Sequence, residues 1–445
     1  MSNGIARALL LLFCFACVSA PGSVRSPADA ARATTPSEWI AAARHALDVT
    51  RPDDAIRAEM LAALEGATVV GIGEASHGTH EDVLMKSQIV LELFDADRID
   101  TLYLEANREG VEQLARVLSD READVREAVR VAAIFRVLKT EAFVHCIEGL
   151  RERALRGREV RIVGIDCQAT SADATLALEW LAEREPKRAA ELRAALEPIV
   201  GASALALRQP ALISSLDTAK LDACVMQLEM LEQACAADRR VQNAARRAIQ
   251  GLLAFRFEVA DGDSSEMDPD YFSLRDRFMA ENVLADGPRR GAFWGHNLHV
   301  LGGLPRGNLE GFRPTGSFLR DALGERYRVV LFDYTRAEIR GVPYAADGNM
   351  PDATDATSVF SRAPLDQGLA RQIVDSTLKS AWVDLHAMPN APAFASWRSR
   401  SWAMEWPGYA LSAERDDESV VLMPMEQLCD VLVVLAELGP SRPLH

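Results

Sequence analysis

Cysteine is sparse in this chain. Seven occur in 445 residues, and beyond the first stretch only Cys146, Cys167, Cys224, Cys235 and Cys429 remain, none in Cys-x-x-Cys spacing. An odd, scattered set excludes a disulfide framework and argues against a structural zinc built on thiolates. Cys224 and Cys235 share one face of an expected helix, but three helical turns separate them by about 16 Å, too far for a bridge. Positive charge is also short: 49 Lys and Arg stand against 65 Asp and Glu, a formal net charge of -16. That balance argues against nucleic acid or an anionic membrane surface as the main partner, since both reward a positive face. No Gly-x-Ser-x-Gly elbow occurs, so nothing signals a serine nucleophile. No internal repeat is evident.

What is present is ordinary globular composition, 49% apolar and 26% charged, on a chain long enough for a large core. Near the start, Arg7 precedes the apolar run Ala8 to Val18 and then small residues. The run is too short for a stable membrane span and reads as a secretory leader over 1–26, followed by an Ala/Pro/Thr-rich linker over 27–37. The expected location is therefore periplasmic or secreted; Ala16-Cys17 also invites a lipoprotein reading, which Cys14 and Phe15 fit poorly.

Period and turn chemistry divide the rest. A helix is expected over 38–65, a strand over 67–73, and a helix over 80–95 with Ser76 or Thr79 as its cap. A strand at Thr101 to Glu105, a helix over 108–118, a helical pair over 122–156 and a strand over 160–166 follow. Such strand–helix alternation predicts an α/β fold with a mainly parallel sheet flanked by helices. Residues 38–170 form the first part of this core. Residues 171–260, rich in Leu, Ala, Glu and Arg with little Gly, predict a large all-helical insertion acting as a cap or second lobe. Residues 261–445 supply the second part, with strands at 291–294, 327–334 and 381–385 and shorter β runs at 402–406 and 420–423.

The chemistry gathers at strand ends. Only eight histidines exist, and four fall in two short segments: Gly73-Glu74-Ala75-Ser76-His77-Gly78-Thr79-His80 and Trp294-Gly295-His296-Asn297-Leu298-His299. Glu105 and Asp166 end two further strands. Parallel strands open their carboxyl ends on one edge, where the ligand crevice forms, so these distant residues are expected to converge. Imidazole titrates near neutrality and takes a proton from water when a carboxylate orients it. Water is therefore the expected nucleophile, with Ser76 more simply a cap. The same mixed His/Glu set also offers ligands for zinc or manganese, so a metal-dependent reading stays open.

These segments resemble the erythromycin esterase family. The resemblance rests on Gly73 to Gly78, on Glu105-Ala106-Asn107, on Arg275-Asp276-Arg277-Phe278-Met279-Ala280-Glu281-Asn282, and on Trp294 to Val300. Gly316-Ser317-Phe318-Leu319 and Asp384-Leu385 extend it, over about residues 60 to 390. Phe135, upstream of Thr140-Glu141, and His386 depart from the family pattern and bear on what fits the cleft. The resemblance implies hydrolysis of an ester or macrocyclic lactone without an acyl-enzyme and without a cofactor. It implies His77 as general base held by Glu74 or Glu105, and His296 polarising the substrate or assisting proton transfer. It further implies Arg275 facing the developing oxyanion, with His299, Asn297 and Asp166 in the binding site. Three readings stand: a metal-independent esterase acting on a small-molecule ester or lactone, a metal-dependent hydrolase, and a non-catalytic exported ligand-binding protein.

Overall fold

Short runs of β-branched and aromatic residues between turn-forming Gly, Asp and Asn make pleated surfaces that must be buried on both faces when strands run parallel. The computed structural model describes residues 30–48, 54–168, 170–200, 218–261, 269–287, 289–343, 356–365, 368–375, 378–412 and 419–444. The leader expected over 1–26 lies outside them. The strands are β1 (His45–Ala46), β2 (Val69–Ile72), β3 (Thr101–Leu104), β4 (Arg161–Gly164), β5 (Gly291–Trp294) and β6 (Tyr327–Pro343). They continue with β7 (Ser358–Arg362), β8 (Ser380–Asp384), β9 (Ser401–Glu405), β10 (Ala410–Leu411), β11 (Val420–Pro424) and β12 (Val431–Leu438).

The main sheet follows the order β1-β8-β12-β6-β2-β5-β3-β4, with β7 and β10 also pairing with β6; β9 and β11 form a separate antiparallel pair. From β12 to β4 every neighbouring pair is parallel, while β8 runs antiparallel to β12. The expected mainly parallel sheet is thus found, with an antiparallel edge. Register is the fact that matters for function: Ile72 pairs with Trp294, Trp294 with Leu104, and Leu104 with Gly164. Four strands therefore end level with one another.

Helices cover this sheet. Among them α1 (Glu81–Asp95) buries Met85, Ile89, Val90 and Leu93 in the core that also holds Ile72, Leu104 and Trp294. Among the described residues, the helices α2 (Ser171–Ala182), α3 (Pro186–Val200), α4 (Thr218–Ala234) and α5 (Arg239–Asp261) follow β4. They bury an apolar cluster of their own, including Leu178, Leu192, Leu228 and Leu252, separate from the core of the sheet. The block is tied back by Arg108, which pairs with Asp173, and by Asn282, whose amide donates to the Gln250 side chain and the Ile165 carbonyl. Asn282 lies on α6 (Pro269–Ala285), which returns the chain to the sheet.

Several local expectations are corrected. The helix expected over 38–65 is interrupted: Pro36–Ala43 is helical, β1 follows, and Asp54–Ala63 is helical again. His45 stacks on Trp382 at 4.4 Å and β1 pairs with β8, so edge pairing overrides the helical period. Thr35 and Glu38 form a capping box, starting that first helix inside the stretch read as linker. Neither Ser76 nor Thr79 caps α1; the Ser76 hydroxyl accepts from Gly78 and Thr79 donates to Asp82. β6 runs nine residues past the expected end at 334, and β12, between β6 and β8, was not anticipated. Its continuous apolar run has no alternation to distinguish strand from buried helix. Leu432 is fully buried in β12, so Leu432→Ala is expected to lower stability by about 2–5 kcal/mol, read as a drop in urea midpoint at unchanged slope.

Candidate acid–base site

The level strand ends set the site out in spatial order. Across the carboxyl edge lie Glu74 and His77 after β2, His296 and His299 after β5, Glu105 after β3, and Asp166 after β4. β5 arrives from over a hundred residues beyond β4 yet inserts between β2 and β3, placing His296 between the two glutamates.

The His77 turn is held by close packing. A Cβ at Gly73 would lie 2.0 Å from Asn297 Oδ1, so only glycine fits. The Asn297 amide itself donates to the Phe332 carbonyl at 2.6 Å and accepts from the Phe332 N–H at 3.2 Å. Its backbone N–H donates to the Glu74 carbonyl at 3.0 Å. Asn297, expected to bind substrate, thus also ties the His77 turn to β6.

Glu74 is buried and both its oxygens are used. Oε1 accepts from His77 Nδ1 at 2.7 Å and Oε2 accepts from Lys86 Nζ at 2.9 Å. Lys86, fully buried on α1, also donates to the Gly295 carbonyl at 2.7 Å and sits 4.4 Å above the Trp294 ring centre. Burial works against the Glu74 charge, but the Lys86 ammonium and the His77 contact outweigh it and hold the carboxyl down at about 2. Because an ionised carboxylate only accepts, the proton of neutral His77 sits on Nδ1 and its Nε2 carries a lone pair.

The His296 ring centre lies 4.8 Å from that of His77. Here the tautomer is reversed. Nδ1 accepts from the Leu298 N–H at 3.4 Å, so the neutral ring carries its proton on Nε2, which is buried without a partner. Burial, then the neighbouring His77 and His299, push His296 down to about 3. In their neutral forms the two imidazoles thus offer opposite capacities: an acceptor on His77 and a donor on His296.

His299 is held differently. Its Nδ1 meets both Asp276 oxygens at 2.9 Å, and its Nε2 lies 3.3 Å from Glu105 Oε1 and 3.2 Å from Arg275 Nη1. Burial opposes a charge there, but Asp276 and Glu105 raise it above the ordinary imidazole range. Glu105 accepts from the His296 N–H and from Arg275 Nη2, each at 2.9 Å. Despite burial, His299, Arg275 and His77 keep it well below the usual carboxylate range. Arg275 grips Asp166 through Nε at 3.1 Å and Nη2 at 2.6 Å. With two carboxylates and His299 around it, this guanidinium is neutralised and buried. It braces Glu105 and His299, with Asp166 as a counter-ion.

Two residues outside the expected set complete the arrangement. Asp276 orients His299 and is itself fixed by the Thr315 N–H and hydroxyl, each at 2.7 Å. Lys86 had a readable signal: it stands three residues after Val83 and four before Val90, on the apolar face of α1, where an exposed lysine is not expected. By contrast, His386 falls away from the site. β8 is antiparallel, so its carboxyl end leaves the edge three strand positions from β2, and His386 stands half exposed, 3.9 Å from Asp430. Among the described residues no group of three or more His, Cys, Asp or Glu side chains is arranged to hold a metal ion.

The edge of the parallel sheet thus gathers three imidazoles and two ionised carboxylates over buried Lys86 and Arg275. The family model of erythromycin esterase matches residues 98–437, and the chain belongs to that family. No curated protein matches it. Its fold is similar to that of a Bacillus cereus protein, at 16% identity and TM-score 0.73 over 92% of this chain and 98% of that one. It is also similar to a succinoglycan biosynthesis protein, at 13% identity and TM-score 0.73 over 91% and 97%. A histidine-to-asparagine mutant of an erythromycin esterase, in its open conformation, matches at 16% identity and TM-score 0.67 over 89% and 98%. At these identities the likeness is one of fold.

Removing Lys86 leaves Glu74 a buried charge without its strongest partner. Lys86→Met is expected to cost about 3–5 kcal/mol at neutral pH, measured by urea denaturation. Unfolded His296 takes up a proton near pH 6.5 and the folded residue only near about 3. The stability of its neutral, buried form is therefore full above that upper value and lost as pH falls towards the lower one. Asp82, pushed up to about 7 by burial and by Glu74, acts with the opposite sign: its contribution is full below about pH 4 and is lost as pH rises through 7. His296→Gln should therefore make the acid-side loss of stability shallower by roughly 1 kcal/mol per pH unit, leaving the Asp82 slope in place.

Proposed function

We propose that this protein hydrolyses an ester or macrocyclic lactone with a water molecule activated by His77. The observation that carries this reading is the bond from His77 Nδ1 to Glu74 at 2.7 Å, beneath which Lys86 keeps the carboxylate ionised. His77 Nε2 is thereby oriented to take the proton of a water as its oxygen adds to the ester carbonyl, and Glu74 stabilises the imidazolium that results. The carbonyl oxygen becomes an oxyanion, for which the unpartnered Nε2–H of His296 is the donor. Collapse of the tetrahedral intermediate breaks the acyl–oxygen bond, and the proton on His77 passes to the leaving alkoxide. The products are a carboxylic acid and an alcohol, joined in one opened chain when the substrate is a lactone. No acyl-enzyme is required.

Membership of the erythromycin esterase family supports the hydrolytic class, and macrolide lactones are one candidate substrate. Given the leader expected over residues 1–26, the ester would be met in the periplasm or outside the cell. The test is a panel of macrolides and simple aryl esters, with products followed by the mass gain of one water. His77→Ala is expected to lower kcat/KM for any accepted ester by about 10²–10⁴-fold. Unchanged turnover in that variant removes His77 as the base. Activity that a chelator abolishes and one metal restores would instead favour the metal-dependent reading.

A further inference from the structure

The turn carrying His77 is gripped from its far side by a segment outside the family match. Gly78, the next residue, presents a carbonyl that accepts two N–H donors: Arg340 of β6 at 2.9 Å and Ser441 at 2.8 Å. A Cβ at Gly78 would lie 2.0 Å from the Arg340 carbonyl oxygen, so the turn and β6 touch backbone to backbone. The segment Gly439–Leu444 then continues the grip. Gly439 accepts from the His80 N–H at 3.0 Å and donates to Glu81 Oε2 at 2.6 Å, while Thr79 bridges to Pro440. Arg340 Nε holds the Ser441 carbonyl at 3.0 Å. Beyond, the Arg442 carbonyl accepts from Glu141 and the Leu444 N–H donates to Lys139, each at 3.0 Å, with Thr140 bridging to Pro443. The prolines at 440 and 443 remove two N–H groups, and the N–H groups of Gly439, Ser441 and Leu444 find partners on Glu81, Gly78 and Lys139 respectively.

From this we infer that Gly439–Leu444 is a positioning strap for His77, resting on the reading of His77 as the base. Glu74 fixes the imidazole from the β2 side, and the strap fixes the backbone immediately after it. Together they leave the ring one orientation. The family match ends at residue 437 and begins at 98, so neither strap nor turn falls within it. The strap touches no reacting atom. It acts by keeping His77 Nδ1 on Glu74, and a displacement on the scale of 1 Å at a base is costly to turnover.

Ser441→Pro removes the N–H that reaches Gly78 and puts a ring carbon in its place, whereas Ser441→Ala retains it. In Ser441→Pro, kcat is expected to fall by about 10-fold or more, with KM little changed. The acid-side inflection of the kcat/KM profile should move to lower pH, because a base that loosens its hold on a carboxylate loses stabilisation of its charged form. Ser441→Ala should keep wild-type values. A Ser441→Pro protein that is folded and matches wild type in both kcat and inflection overturns the strap. Should that variant not fold, Arg340→Met carries the same test, since it releases the Ser441 carbonyl while leaving the backbone donor of residue 340 intact; wild-type kcat and inflection there overturn the proposal. Failure of the underlying reading looks different: wild-type protein that cleaves no ester, or His77→Ala that cleaves as well as wild type.

Discussion

A single buried ammonium holds the site together. Lys86 reaches from α1 into the gap between two strand ends, donating to Glu74 after β2 and to the Gly295 carbonyl after β5, with the Trp294 ring beneath it. In a low-dielectric interior neither Glu74 nor Lys86 would remain charged alone. Paired, Lys86 holds the Glu74 carboxyl down against burial, and the carboxylate becomes the acceptor that fixes the tautomer of neutral His77. The same ammonium joins loops that lie more than two hundred residues apart in sequence. The stability of the turn and the proton inventory of the site thus share one physical origin.

Around that pair the charges alternate. Lys86 faces Glu74, Glu74 faces His77, and His296 stays neutral between His77 and His299, whose pKa its carboxylate neighbours raise. Glu105 and Asp166 face Arg275, and Asp276 faces His299. Alternation is how a fold buries several ionisable groups without leaving any uncompensated. It also divides labour between two histidines of identical chemistry. His77 is turned by a carboxylate and His296 by a backbone N–H, so one presents a lone pair and the other a proton.

Much of this was legible in the sequence because polar titratable residues ended four apolar β runs, and parallel strands carry such ends to one edge. Glu74, His77, Glu105, Asp166, His296 and His299 converge as that argument requires, within the fold class expected. What it did not carry was finer. Asn297 and Arg275 look like ligand-binding groups by type, and that they also bond the scaffold is visible only from partners brought in by Phe332, Glu105 and Asp166. Lys86 sat in plain view on an apolar helical face. Asp276 was hidden beside Arg275, because an acid on a helix is more often solvated than buried.

By itself, then, the sequence determined which residue types stand at strand ends and that the sheet is mainly parallel, since both follow from local pattern. The tertiary structure alone decided the strand order that slides β5 between β2 and β3, and the pairing of β12 beside β6. It also decided which ring nitrogen of each histidine holds the proton. Those depend on contacts between segments far apart in the chain, and local periodicity carries no record of them.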